Sequence, residues 1–319
     1  MNMNIFEKIT FKRGLIAGVA GLIGLKVLDE KFGPSSRLPK VAVLDLHGTI
    51  LSEGSRSGFG SNLINIGTMK KKIDMAFSPK NLQAVILNIN SPGGSPVQSD
   101  LVSSYIKQKA AEVEVPVIVF VEDMAASGGY WLACTGSEIY AARCSIVGSI
   151  GVISQGLGFH QLIEKWGIDN RTYTAGENKS INNLFDPVKE SDVKIIKSLL
   201  NDIHQDFINH VKTNRGDKLT ADDETLFNGQ YWTAETGLKL GLVDGIDHMD
   251  SYIARKWGKE GKDVRVYRIK NRQEGLLGLL QSLGLGSSIL APASLSNVPV
   301  MAENLEVLNI ANSSLTKPN

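Results

Sequence analysis

Ser127 lies in a setting that suits a nucleophile. It stands in the segment Ala-Ala-Ser-Gly-Gly-Tyr-Trp at 125–131, after a strand-like run and before residues that predict a short helix. Small neighbours leave the hydroxyl open, and the amino end of a helix favours the alkoxide that a serine nucleophile must approach. The alternative is an N-cap serine, whose hydroxyl only satisfies helix N–H groups.

A second glycine-rich loop follows the preceding strand-like run. The sequence Asn-Ser-Pro-Gly-Gly-Ser occupies 90–95. Its proline fixes one dihedral angle, and Gly93 and Gly94 free the next two peptides to turn their N–H groups outward. Such a loop can donate hydrogen bonds to an oxyanion, although taken alone it is equally a plain turn from strand to helix. Because the two loops end successive strands, we expect them to lie side by side at one end of a sheet.

A serine nucleophile needs a base, and the residues alone leave two candidates. Histidine is the usual partner, but His160 begins an apolar helical pattern and no acidic residue stands out to orient it. Lys179 lies in a loop, in the segment Gly-Glu-Asn-Lys-Ser at 176–180. A lysine acts as a base near neutral pH only where burial lowers its pKa well below about 10.4, and a loop lysine is otherwise simply solvated.

The elements that must position these residues alternate between strand and helix. Short runs rich in β-branched residues predict strands, and apolar residues spaced by three and four predict helices. Strands are predicted at 41–46, 84–89, 117–121 and 264–269, and helices at 62–76, 97–111, 192–211 and within 229–245. This alternation predicts an α/β fold with right-handed crossovers.

Composition narrows the class of protein. The chain has 319 residues, of which 42% are apolar and 21% charged, and its formal net charge is +1. These values suit a folded domain and give no global basic field for nucleic acid. The five histidines form no metal-type cluster, and Cys134 and Cys144 are predicted to be buried free thiols. We therefore expect no metal, no cofactor and no nucleic-acid partner.

The chain divides into one central domain and two extensions. Residues 40–270 form the predicted domain, residues 1–39 an N-terminal extension and residues 271–319 a loosely ordered tail. The extension holds an apolar segment at 14–28, which Lys26 interrupts and which is shorter than the roughly 20 residues that a spanning helix needs. This segment predicts membrane association, with an ordinary soluble extension as the alternative. If it spans, the upstream positive charges favour a cytoplasmic N-terminus.

Five segments, taken in order, resemble the signal peptide peptidase A and SohB family of serine–lysine peptidases. They are Ser91–Gly94, Ala125–Tyr130, Val147–Val152, the Gly-x-x-Lys-Ser segment ending at Ser180, and Gly241–Ile246. The resemblance runs from about residue 41 to residue 247. It implies a crotonase/Clp-like fold of stacked β-β-α units with a single catalytic domain. It also implies hydrolysis of peptide bonds in signal-peptide remnants or in unfolded and membrane-derived polypeptides.

The resemblance further implies roles for individual residues. Ser127 is the implied nucleophile and Lys179 the implied base, with the hydroxyl of Ser149 holding the lysine amine. The implied oxyanion hole consists of backbone N–H groups from the two loops, at Gly93, Gly94 and Gly128. Members of the family assemble into rings or bowls in which neighbours bury the site, so we expect a homo-oligomer. We expect it to be membrane-associated through residues 14–28, or otherwise soluble and intracellular.

Three rival interpretations stand beside this one. A Clp-type protease combines similar loops with a Ser–His–Asp triad, but no histidine occurs between Ser127 and His160. A crotonase-type acyl-CoA hydratase or isomerase needs an acidic catalytic pair near the oxyanion loop and has no use for Ser127. A non-catalytic scaffold of the same fold has no need of an intact Ser127 and Lys179.

Overall fold

The computed structural model describes residues 38–52 and 63–269. The predicted tail and the apolar segment at 14–28 lie outside the described residues, so the roles assigned to them stay predictions. Within the described ranges, no helix combines the length and the apolar character that crossing a membrane requires.

The described chain alternates strands and helices, as the sequence predicts. The strands are β1 (Lys40–His47), β2 (Thr49–Ile50), β3 (Leu63–Ile64), β4 (Leu82–Ser91), β5 (Val117–Ala126), β6 (Glu138–Ala141), β7 (Ile146–Gly148), β8 (Tyr231–Thr233), β9 (Gly245–Ile246) and β10 (Arg265–Arg268). The helices are α1 (Ile66–Phe77), α2 (Pro96–Val113), α3 (Gly128–Ala133), α4 (His160–Lys165), α5 (Glu190–Arg215), α6 (Asp223–Leu226), α7 (Ala234–Lys239) and α8 (Met249–Trp257).

Most strands join one sheet whose pairs are mainly parallel. The order across it is β10–β1–β4–β5–β6–β9, and β7 pairs in parallel with the end of β5 and antiparallel with β8. The two short strands β2 and β3 pair separately. Parallel neighbours joined through helices are what strand–helix–strand alternation produces. The predicted α/β class is therefore confirmed, as a mixed α/β domain with a mostly parallel sheet.

Capping residues set where the first two helices begin. Asn65 caps α1 and shares a reciprocal capping box with Thr68, while Ser95 caps α2 immediately before Pro96. Side-chain caps satisfy helix N–H groups, and proline at the first helical position needs no such partner. The region 229–245 differs from its prediction as a helix and a turn, because Tyr231–Thr233 first pairs with β7 and α7 begins only afterwards.

Alternation along the central strands sends side chains into two separate apolar layers. Leu44 and Leu87 belong to the larger layer, which α1, α2, α3 and the second half of α5 cover. Val43 and Ile86 point to the opposite face, where α8 packs. All four side chains are fully buried. In the sequence, strands that are buried on both faces appear as continuous apolar runs.

A buried ion pair joins the end of α5 to the turn at 241–246. The guanidinium of Arg215, of which 2% is exposed, donates to the carbonyl oxygen of Gly241 at 2.7 and 3.0 Å and to both carboxylate oxygens of Asp244 at 2.8 and 3.1 Å. The same carboxylate accepts the N–H of Ile139 at 2.7 Å and contacts Lys218 at 2.8 Å. Burial raises the pKa of Asp244, but these hydrogen bonds outweigh burial and hold that pKa below its usual value.

Residues 152–189, here called the arm, run between the loop after β7 and the start of α5 with little burial. Many of its large apolar side chains are exposed. They are Ile153, Leu157, Leu162, Trp166, Ile168, Tyr173, Leu184, Phe185 and Val188. An apolar surface of this extent usually marks a contact with another macromolecule.

The two cysteines have different surroundings. Cys134 is buried at the end of α3, and burial raises the pKa of its thiol to about 12. Cys144 is exposed, so the prediction that it is buried is wrong. It lies in the turn between β6 and β7, where the chain leaves the apolar layer. Both thiols are free.

Candidate active site

Ser127 forms the sharp turn between β5 and α3. Its backbone has φ 52° and ψ −124°, a conformation that favours glycine. Its N–H donates to the carbonyl oxygen of Gly148 at 2.9 Å, and its side chain makes no capping hydrogen bond to α3. The N-cap alternative is therefore not what the structure shows. A strained serine between a strand and a helix is the geometry by which several hydrolases present a nucleophile.

The loop after β4 packs directly against Ser127, as the order of the strands predicts. A side chain at Gly93 would bring its Cβ to within 2.8 Å of the Cβ of Ser127, and one at Gly94 would lie 2.0 Å from the carbonyl oxygen of Ile50. Ile50 is hydrogen bonded to this loop on both sides. Its N–H donates to Gly93 at 2.9 Å, and its carbonyl oxygen accepts the N–H of Ser95 at 2.8 Å. Contacts this close leave room only for glycine.

The structure distinguishes among the three predicted oxyanion donors. The N–H of Gly93 already donates to the hydroxyl of Ser91 at 3.1 Å. The N–H groups of Gly94 and Gly128 have no acceptor among the described residues. The two glycines are adjacent, since a Cβ built on Gly128 would lie 3.3 Å from the backbone nitrogen of Gly94. Gly94 and Gly128 are thus the better placed pair.

Ser149 follows β7 and lies near Ser127 in the same arrangement. Its φ is 55°, and its N–H donates to the carbonyl oxygen of Gln230 at 2.7 Å. The side chain is half-buried and makes no hydrogen bond to the described residues. Because Ser127 bonds to Gly148, the residue before Ser149, the two serines belong to neighbouring turns held together through the backbone.

These residues line one cavity of about 1030 Å³. One wall is formed by the two glycine-rich loops with Ser127 and Ser149. Another part of the lining is apolar and comes mainly from α3, α5 and the segment after α6. Its large side chains are Trp131, Leu199, Leu200, Ile203, Phe207 and Phe227. The arrangement can hold an extended chain with an apolar side chain beside a nucleophile.

Lys179 is not part of this cavity. It is exposed in a turn of the arm, and its backbone N–H donates to Gly176 at 3.3 Å. His160, the other candidate base, begins α4 within the same arm and does not line the cavity either. Within one chain the structure thus brings together Ser127, Ser149 and the predicted oxyanion glycines, and it leaves the predicted lysine outside.

Two histidines of α5, which the sequence analysis considered only as possible metal ligands, lie at or beside the cavity. His204 lines the cavity, and its Nε2 lies 3.2 Å from the carbonyl oxygen of Ile150. His210 stacks on Trp131 with 4.4 Å between ring centroids, and its Nε2 lies 3.0 Å from the carbonyl oxygen of Trp131. Burial lowers the pKa of His210 to about 4. The available signal was the position of both side chains near the apolar stripe of the helix predicted at 192–211.

A metal ion is not indicated by the described residues. Nowhere in 38–52 or 63–269 do three or more histidine, cysteine or acidic side chains converge in a way that could hold one.

Comparisons with known proteins point to a family of peptidases. Residues 109–265 match the family model described as Peptidase family S49. An Enterococcus faecium protein named as a signal peptide peptidase, SppA, is 27% identical over 251 residues, which are 78% of this chain and 72% of that protein. A Buchnera aphidicola protein named as a protease, SohB, is 34% identical over 172 residues, 54% of this chain and 50% of its own.

A further relative carries a different name. A Brucella melitensis protein named Na(+)/H(+) antiporter NhaA is 41% identical over 258 residues, which cover 81% of this chain. The chain spans about a third of that relative's length, since the match covers 34% of it. Most of the protein that carries the antiporter name therefore lies outside the matched region.

Proposed function

The chain belongs to peptidase family S49, and from this premise we propose that it is a serine endopeptidase with a Ser–Lys dyad, Ser127 as nucleophile and Lys179 as base. The observation that carries the proposal is Ser127 itself. Its strained turn presents a hydroxyl that does not cap the helix, beside the N–H groups of Gly94 and Gly128, for which the described residues supply no acceptor. These are the parts that acyl transfer requires.

The proposed reaction follows from these positions. Neutral Lys179 takes the proton of Ser127, and the serine oxygen attacks the peptide carbonyl. The N–H groups of Gly94 and Gly128 stabilise the tetrahedral oxyanion. Protonated Lys179 then gives its proton to the leaving amine, and water activated by the same amine cleaves the ester. Ser149 is half-buried in the cavity, its hydroxyl bonds to none of the described residues, and it holds the lysine amine in this scheme.

Lys179 reaches the site from a neighbouring copy of the chain in this proposal. Two observations support it: Lys179 is exposed and outside the cavity of its own chain, and the arm that carries it exposes many apolar side chains. Packing of the arm on a second copy would bury those side chains and desolvate the amine, which lowers the pKa of a lysine. The homo-oligomer is proposed as a ring or bowl on the resemblance stated above.

The proposed substrates are extended, apolar polypeptide segments. The apolar part of the cavity that Ser127 lines favours large apolar side chains, which signal-peptide remnants and unfolded or membrane-derived polypeptides supply. Attachment to a membrane through residues 14–28 belongs to the same proposal. So does the finer fold assignment, a crotonase/Clp-like arrangement of stacked β-β-α units.

The test is hydrolysis of unfolded casein and of a signal-peptide-like peptide by the wild type and by Ser127→Ala and Lys179→Ala. Lys165→Ala, at another exposed lysine of the arm, is the matched control. We expect the first two variants to lose hydrolysis while staying folded, and the control to keep it. Covalent labelling of Ser127 by a small acylating inhibitor is the second readout. An assembled wild type that neither hydrolyses nor labels would favour the non-catalytic scaffold.

A further inference from the structure

His204 joins α5 to the loop that carries Ser149. Its Nε2 lies 3.2 Å from the carbonyl oxygen of Ile150, the residue that follows Ser149. Because a carbonyl oxygen can only accept a hydrogen bond, Nε2 carries the hydrogen and donates it. Among the described residues that line the cavity, His204 is the only histidine.

The loop that receives this bond is held from several sides. Its carbonyl at Ile150 also accepts the N–H of Gly229 at 3.1 Å, and the N–H of Ser149 donates to Gln230 at 2.7 Å. Both bonds come from the segment that leads into β8. The bond from His204 comes from the other direction, from the long helix that forms the apolar wall of the cavity. Ile150 itself is fully buried.

Such a loop needs support, because its backbone lies in an unfavourable conformation. Gly148 has φ 102° and Ser149 has φ 55°. For a residue other than glycine, a positive φ costs on the order of 1 kcal/mol and persists only where surrounding contacts hold it. Losing one of those contacts lets the loop relax, and Ser149 and the carbonyl oxygen that holds Ser127 then move together.

We propose that His204 is a positioning residue of the peptidase reaction: by donating from Nε2 to Ile150 it fixes the turn that sets Ser149 and, through Gly148, Ser127. This inference rests on the proposed function and deepens it. It also separates His204 from the role of base. Its Nε2 is already committed to a carbonyl oxygen, and no described carboxylate contacts the ring to stabilise an imidazolium, as a catalytic triad requires.

Two variants at this position test the proposal. His204→Leu keeps the apolar packing and removes the donor, whereas His204→Gln keeps an N–H near the position of Nε2. Gln205→Leu, on the exposed side of the same helix turn, is the matched control. We expect His204→Leu to lower kcat about tenfold with KM changed less than twofold, the size of effect that one neutral hydrogen bond can give. We expect His204→Gln to regain most of that loss.

Hydrogen exchange measured by mass spectrometry on peptides covering 146–151 and 227–232 gives a readout that does not depend on activity. We expect faster exchange there in His204→Leu, and wild-type exchange in His204→Gln and in the control. The proposal is overturned if His204→Leu leaves both kcat and exchange unchanged. It is equally overturned if the Gln variant is as inactive as the Leu variant and both variants lose the acid limb of the pH–activity profile. His204 would then be the base. A wild type that neither hydrolyses the substrates nor is labelled at Ser127 would refute the proposed function, and with it the role of His204 in the reaction. The exchange data would still show whether His204 orders the loop.

Discussion

The backbone N–H of Ser127 donates to the carbonyl oxygen of Gly148 at 2.9 Å, so the candidate nucleophile and the turn that carries Ser149 are joined without any side chain. Both ends of this bond are residues with positive φ. The surrounding residues therefore hold Ser127 in this conformation, and its cost in free energy of unfolding can be measured by substitution.

Ser127→Gly should be more stable than Ser127→Ala, and both variants should lack hydrolytic activity. Glycine adopts φ 52° without the steric cost that a Cβ brings, whereas alanine keeps the cost and removes only the hydroxyl. We expect Ser127→Gly to have a free energy of unfolding about 1 kcal/mol above that of Ser127→Ala, measured by chemical denaturation. Equal values for the two variants would show that the turn is not strained.

Mixing two inactive variants should restore hydrolysis if Lys179 acts on a neighbouring chain. In a mixed oligomer of Ser127→Ala and Lys179→Ala protomers, some sites combine the intact Ser127 of one chain with the intact Lys179 of another. Co-expression, or unfolding and refolding of an equal mixture, should then recover up to about a quarter of wild-type activity. A mixture as inactive as its parts would place the base within the same chain. The control for dilution of intact chains is wild type mixed with a double variant that carries both Ser127→Ala and Lys179→Ala.

Removing the carboxylate of Asp244 should destabilise the domain strongly. Arg215 would keep its charge at a nearly inaccessible position, where Gly241 is the only other acceptor among the described residues. Breaking a buried ion pair from one side costs about 3–5 kcal/mol. We expect a loss of about 3 kcal/mol for Asp244→Ala in denaturation by urea. The control is Asp250→Ala, whose exposed pair with Arg268 at 3.2 Å should contribute little.

The stability of the fold should fall as the pH drops from about 6.5 to about 4, because of His210. Burial lowers the pKa of this imidazole to about 4 in the folded protein, and the neighbouring Lys107 acts in the same direction. The unfolded chain therefore binds the proton first as the pH falls, which favours unfolding. Stability from neutral His210 is complete above about pH 6.5 and is lost on approaching pH 4, by up to about 3 kcal/mol.

The matched variant for this measurement is His210→Phe, which keeps an aromatic ring against Trp131 and cannot titrate. The difference in free energy of unfolding between wild type and variant should change with pH over this window. Carboxylates that titrate at lower pH affect both proteins alike. A constant difference from pH 7 to pH 4 would contradict a buried neutral His210.

Thiol reagents should separate the two cysteines. Cys144 is exposed, whereas burial raises the pKa of Cys134 to about 12 and keeps its thiol protonated. We expect iodoacetamide to modify Cys144 alone in the native protein and both thiols after unfolding. Cys144→Ser should abolish the native reaction. Modification of Cys134 in the native protein would show that the end of α3 opens.

Local patterns in the sequence were sufficient for the four strands β1, β4, β5 and β10 and for the two glycine-rich loops, but they did not indicate the strands β2, β3 and β6 to β9. The apolar runs around Leu44 and Leu87 and the turn chemistry before Ser127 act over a few residues, so a window of the sequence contains their cause. The bond from His204 to Ile150 spans 54 positions, and no local pattern announces it. The position of Lys179 could not be predicted for a different reason: the arm does not pack on the core of its own chain.

The two hydrogen bonds between Ile50 and the loop at Gly93–Ser95 have a consequence for the proposed reaction. They fix the backbone of the loop, so its N–H groups are already oriented before any substrate arrives. Water must reorient whenever it solvates a new charge, and a flexible loop would have to do the same. In the proposed reaction that reorganisation takes place once, during folding, and each turnover would begin from a dipole arrangement that is already complete.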